Sequence, residues 1–149
     1  PGSPKTIDND LALTDHTPGF GSAAKYIGAS TKEVIRDANG LAYKKEMITI
    51  IEVMGRNAGW LTGATALAKA EDCDGPDLIY LPELTFDLDN FMERNQRSAE
   101  KKTSVVVAVS EGSIWKMEDM SVNLEQCRFC RCVWTQTVNG NSPLSGGED

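Results

Sequence analysis

The sequence predicts an α/β fold built on a largely parallel sheet, and three observations carry that expectation. Short β-branched runs at 47–53, 78–81 and 104–109 are almost continuously apolar, as strands covered on both faces are. The segments between them, 60–70 and 87–102, have the composition of helices rather than of tight turns. Strand, helix, strand, helix, strand is the order a parallel sheet demands, because each crossover must carry the chain back along the sheet.

In chain order, the first sixteen residues are polar and turn-rich, and TIDND sets two carboxylates, Asp8 and Asp10, within three positions. A helix is expected from Thr17, whose hydroxyl suits an N-cap, with Pro18 at the first helical position, where its missing N–H costs nothing. Phe20, Ala23, Ala24, Ile27, Val34 and Ile35 hold helical spacing along one face, and Asn39-Gly40 ends the segment. Met47–Val53 reads as a central strand, and a Gly-Arg-Asn turn follows it. An Ala-rich helix is expected over 60–70, and a strand over 78–81 is stopped by Pro82. The stretch 87–102, with Phe91 and Met92 among many charges, reads as a surface helix before the strand at 104–109.

After Ser110-Glu111-Gly112 the character changes. Residues 113–149 hold two of the three Trp and three of the four Cys, show no sustained periodicity, and close on a Gly-, Ser- and Asn-rich stretch. The expected organisation is an α/β unit over 1–112 and an atypical tail over 113–149, disordered or frame-shifted.

The chain has 149 residues, a net charge of −7, 40% hydrophobic and 25% charged residues, which suits one soluble domain. No run approaches the roughly 18–20 apolar residues of a membrane span, and PGSPKTIDND has neither the basic nor the apolar region of a leader. A cytoplasmic protein is expected, and its acidic balance argues against non-specific nucleic-acid binding. Four Cys are too few and too clustered for a disulfide framework. Cys127, Cys130 and Cys132 would give zinc three thiolates, but the single His lies far off at residue 16, so no zinc site is expected. His16 itself reads as structural.

Ligands of open α/β sheets bind beyond the carboxyl ends of the strands. There, Met54-Gly55-Arg56 offers a glycine that lets the backbone approach a ligand and a guanidinium suited to phosphate, although a Gly-Arg at a strand end is more often a turn with a solvated charge. Pro82-Glu83 offers a carboxylate for hydroxyl groups. Asp8 and Asp10 can supply a general base and a second carboxylate near Mg²⁺, or simply serve as turn and cap residues. Together these elements suggest a site for a phosphorylated polyol.

The strings PKTIDND, TDHTPGFGSAAKYI, EVMGRNAGWLTGA, PDLIYLPE and VVVAVSEG, in this order, resemble the phosphofructokinases over about residues 4–112, most closely the pyrophosphate-dependent branch. The resemblance implies a Rossmann-like three-layer sandwich, incomplete relative to the family fold. The implied activity is a glycolytic one, transfer of a phosphoryl group to the 1-hydroxyl of fructose 6-phosphate with Mg²⁺. Asp8 then matches the base that takes the hydroxyl proton, supported by Thr6 and Asp10, with Asp10 helping to order the metal-bound phosphates. Met54, Gly55 and Arg56 match the turn at the sugar phosphate, and Glu83 matches the acid that holds sugar hydroxyls. Phosphoryl transfer needs chiefly positioning and charge stabilisation, which such a set supplies. No metal ligand is assigned within the chain.

Lys5 bears on the donor. Pyrophosphate users of the family commonly carry Lys before TIDND where many bacterial ATP users carry Gly, so pyrophosphate is favoured over ATP, although some ATP-dependent members also read PKTIDND. The family's Gly-rich donor segment, with its Gly-Gly-Asp motif, precedes TIDND and is not in this chain. An arginine usual at the start of the third motif's strand is replaced near Met47, with Lys44 and Lys45 close by. The isolated chain is therefore expected to be inactive, and the intact enzyme to be a homo-oligomer with shared sites. The competing expectations are an inactive module that binds sugar phosphate or pairs with other subunits, and a non-functional product of a partial gene. In the tail, one permitted codon choice for 131–141, read one base later, spells the family-like DAFGHKQLTG, and 116–125 read two bases later can spell DGRYVCEFG.

Overall fold

In a computed structural model, residues 2, 4–41, 47–113 and 134–137 are described, the last four by backbone alone. Four parallel strands form one sheet in the order β2-β3-β1-β4. β1 is Met47–Val53, β2 Leu78–Tyr80, β3 Ser104–Ser110 and β4 Trp134–Thr137. The register sets Ile50 of β1 and Leu78 of β2 on either side of Val107. Every residue of β3 is buried, as the continuous apolar run predicts for a strand with neighbours and helices on all sides.

Alternation along the strands sorts the core into two faces. Ile51, Val53 and Val106 pack with Ile27, Ile35 and Ala38 of α1 (Phe20–Gly40) on one side. Ile48, Val105, Val107 and Val109 pack with Phe86, and with Phe91 and Ala99 of α3 (Leu88–Ala99), on the other. The result is the expected α/β three-layer arrangement, with a separate apolar cluster on each face of the sheet. Each valine buried this fully stabilises the fold by about 1.5–3 kcal/mol.

Helix starts and stops depart from expectation in two places. α1 starts after Gly19, not at Thr17: Gly19 occupies the left-handed region at φ 89°, and Thr17 lends its carbonyl to Phe20 N–H at 3.2 Å in a preceding turn. Thr17 N–H donates to Asn9 Oδ1 at 2.8 Å and tethers the N-terminal loop, while no side chain caps α1. The Ala-rich segment is not one helix. It is a single turn, α2 (Trp60–Gly63), followed by a 3-10 stretch, Ala64–Ala68. Gly63 and the Thr65 hydroxyl, which donates back to Thr62 O at 2.6 Å, compete with a regular α-ladder there. α3 forms within the stretch expected to be helical, 87–102, but ends at Ala99, and Asp87 is its N-cap, accepting from Asp89 N–H and Asn90 N–H.

Polar ties fix the elements to one another. Asp77 opens β2 by exchanging hydrogen bonds with Val106: its N–H donates to the Val106 carbonyl at 2.8 Å, and its Oδ2 accepts from Val106 N–H at 2.9 Å. Lys102 donates to Asp77 Oδ1 at 2.9 Å, and that bond holds the Lys102 ammonium above its ordinary pKa. Asp72 pairs with Lys32 and Arg36 of α1. His16 packs edge-on against Phe20, with ring centroids 5.6 Å apart.

Of the tail, Ser113 and the backbone of β4 are described, and β4 adds to the sheet beside β1 with Ile51 opposite Gln136. Cys127, Cys130, Cys132, Trp115, Lys44 and Lys45 lie outside the described residues.

Candidate functional site at the carboxyl edge of the sheet

The loops that follow β1 and β3 emerge side by side, because those strands are neighbours and both end at this edge. The β1 loop opens with Met54-Gly55-Arg56. Gly55 has φ 133°, and a Cβ there would stand 2.5 Å from Ala58 O, so only glycine makes this turn. The β3 loop grips it. Ser110 Oγ donates to Gly55 O, Gly112 N–H donates to Ser110 Oγ at 3.3 Å, and Gly112 lies so close to Arg56 O that a side chain would collide with it. Between the two loops, Arg56 Nε faces Glu111 Oε1 at 3.5 Å.

The TIDND segment is folded around its asparagine. Asn9 sits at φ 59°, a conformation asparagine tolerates better than most residues, and is buried. Its Oδ1 accepts from Thr17 N–H and its Nδ2 donates to Asp15 O at 3.3 Å. That turn leaves Asp10 exposed and half-buries Asp8, whose N–H donates to Thr6 Oγ1 at 3.2 Å. Asp8 Oδ1 is buried and, among the described residues, has no hydrogen-bond partner. Burial raises the Asp8 pKa first of all, the negative charges of Asp10 and Glu111 raise it further, and Arg56 works against them. Asp8, Asp10, Arg56 and Glu111 thus form one electrostatic group.

Glu83 is placed differently. Its Oε1 accepts from Gly59 N–H at 2.7 Å, so the carboxylate is anchored on the backbone at the end of the β1 loop. A Cβ on Gly59 would come within 2.7 Å of Glu83 Oε2, which explains a glycine there. Met54 is exposed, as is Lys5, which makes no ion pair among the described residues. Sequence reasoning overlooked Asn9, Ser110, Glu111 and Gly112 as builders of this site. The available signal was their position, directly at a strand end or between two acids.

Chemically, the group offers a carboxylate with a raised pKa as proton acceptor and a guanidinium suited to an anion. Among the described residues no three His, Cys, Asp or Glu side chains converge on a metal ion. The unpartnered oxygen of Asp8 and the exposed Asp10 beside it are still suitable donors for Mg²⁺, which commonly takes one or two carboxylates and completes its shell with water and phosphate oxygens.

The family pattern described as Phosphofructokinase matches residues 2–143. The chain is 46% identical over 110 residues to a pyrophosphate–fructose 6-phosphate 1-phosphotransferase of Halomonas elongata, covering 74% of this chain and 26% of that one. It is 41% identical over 111 residues to a sulfofructose kinase of Alkalicoccus urumqiensis, covering 74% and 29% respectively. The crystal structure of a pyrophosphate-dependent phosphofructokinase from Marinobacter aquaeolei superposes with a TM-score of 0.68 at 43% identity, over 75% of this chain and 29% of that one. The chain therefore spans about a quarter of the length of the curated relatives it matches. With the family pattern running over nearly its whole length and a solved member sharing its sheet, the chain belongs to the phosphofructokinase family.

Proposed function

We propose that this chain forms the sugar phosphate half of a phosphofructokinase active site, and that the whole enzyme moves a phosphoryl group from pyrophosphate to the 1-hydroxyl of fructose 6-phosphate. The observation that carries this reading is Asp8: a half-buried carboxylate with one oxygen unpartnered among the described residues and its pKa raised, grouped with an arginine at the carboxyl edge of a parallel sheet. Asp8 takes the proton of the attacking hydroxyl, and Thr6 supports its backbone. Arg56, presented by the Gly55 turn, faces the phosphate, while Met54 and Gly55 line the approach. Glu83, anchored at Gly59, accepts from sugar hydroxyls through its remaining lone pairs.

Asp10 would hold Mg²⁺ together with the phosphates, and the ion would supply neutralisation of donor charge. Lys5 favours a compact diphosphate over ATP as donor. The intact protein is read as a cytoplasmic homo-oligomer that takes up neither nucleic acid nor membrane. No helix among the described residues is long and apolar enough to cross a membrane. The isolated chain holds sugar phosphate without turning over either donor.

Calorimetry of the 149-residue chain with fructose 6-phosphate tests this reading. Millimolar ligand should give heat that Arg56→Ala sharply reduces and Asp8→Asn leaves. No heat from the unaltered chain would overturn the binding reading. Turnover by the isolated chain would overturn its assignment as half a site.

A further inference from the structure

The β3 loop makes a set of contacts that the proposed chemistry does not use. Ser110 Oγ holds Gly55 O, Gly112 leaves room for Arg56 O, and between these two backbone contacts Glu111 places its carboxylate 3.5 Å from Arg56 Nε. All three consecutive residues address the same short turn, Gly55-Arg56. The two ends of the ion pair are unequal. The Glu111 side chain is 21% exposed and sits at the start of the helical residues 111–113, whereas the Arg56 side chain is 68% exposed.

Ordering a long arginine side chain on binding costs it conformational freedom. A fixed carboxylate at Nε removes part of that cost beforehand by choosing the direction in which the guanidinium leaves the turn. Salt at the surface screens such a pair, so its value lies in orientation rather than in stability.

We propose that Glu111 is a positioning residue: anchored by the Ser110 and Gly112 contacts, it steers Arg56 from the Nε side so that the guanidinium meets the phosphate of the sugar substrate already aligned. The inference rests on Arg56 being the phosphate contact of the proposed function. It adds a residue that acts through Arg56 and does not itself touch the substrate.

A double-mutant cycle on the full chain tests it, with fructose 6-phosphate as the probe in calorimetry and thermal melts run in parallel. Glu111→Gln should weaken binding about five- to tenfold without lowering the melting temperature, and Glu111→Asp should recover part of the loss. In an Arg56→Ala background, Glu111→Gln should have no effect on residual binding, because the residue it steers is gone. Ser110→Ala, which loosens the same loop, should weaken binding in the same direction. Unaltered or tighter binding in Glu111→Gln, with Arg56→Ala still disruptive, would overturn the positioning role alone, and tighter binding would identify Glu111 as a competitor for Arg56. Binding undiminished in Arg56→Ala would instead overturn the proposed function on which the inference rests.

Discussion

Asp8 is held in a setting that opposes its own charge: it is half buried and has Asp10 and Glu111 as electrostatic neighbours. Its pKa is raised by burial first and by those two carboxylates next, so ionised Asp8 is less comfortable in the folded protein than in the unfolded chain. The sign of the pH effect follows from linkage. A carboxyl whose folded pKa is raised penalises the fold above that pKa, and the penalty is relieved as pH falls toward the ordinary value of 3.8. Asp8→Asn should therefore raise the melting temperature at neutral pH, and its advantage over the unaltered chain should fade as pH is lowered to about 4. Thermal melts across pH 3.5–8 would show this, and equal melting temperatures at pH 7 would refute it. Such a variant gains stability where it loses a base, as expected of a group placed for chemistry.

At the scale of elements, α3 shows how much of a helix is written locally. Asp87 closes the first turn by accepting from two backbone N–H groups, at 3.0 Å from Asp89 and 3.2 Å from Asn90. Asp87→Ala should cost about 1 kcal/mol in urea denaturation, with no effect on sugar phosphate binding, because α3 packs on the face of the sheet rather than at its carboxyl edge. The segment after β1 shows the opposite case. Its alanines favour helix by propensity, yet Gly63 and the back-bonding Thr65 limit α2 to one turn and continue it as 3-10.

For the molecule as a whole, β3 is the pivot. It pairs with β1 and β2, fills both apolar clusters, and its end carries the loop that grips Gly55-Arg56. Val107 is fully buried among Ile48, Phe91 and Val109. Val107→Ala should cost about 2–3 kcal/mol by loss of transfer energy plus the residual cavity. Chemical denaturation would measure that loss, and sugar phosphate affinity per folded molecule should stay unchanged. A loss under 0.5 kcal/mol, on the order of a surface substitution, would contradict the core position of this strand.

The three apolar runs and the alternation of strands with helices were sufficient for the α/β class with a parallel sheet, because burial on both faces of a parallel strand leaves a direct imprint on composition. The turn at Gly55 was an equally local matter. The start of α1 was not, since a turn from Thr17 to Phe20 with Gly19 in the left-handed region precedes it, and Thr17 N–H is held by Asn9, eight residues earlier. Asp8, Asp10, Arg56 and Glu83 could be nominated from strand ends and motif strings, but their grouping could not. The adjacency of β1 and β3, whose paired residues lie 57 positions apart, brings Glu111 to Arg56. That adjacency is a property of strand order, and strand order is settled by which faces pack in three dimensions. So the sequence by itself determined the residue types available for binding a phosphate and moving a proton, whereas only the tertiary structure decided that Glu83 is anchored on Gly59 while Asp8, Arg56 and Glu111 act on one another. The physical reason is that backbone propensity and burial are read over a few residues, but electrostatic coupling depends on distances that the packed sheet alone establishes.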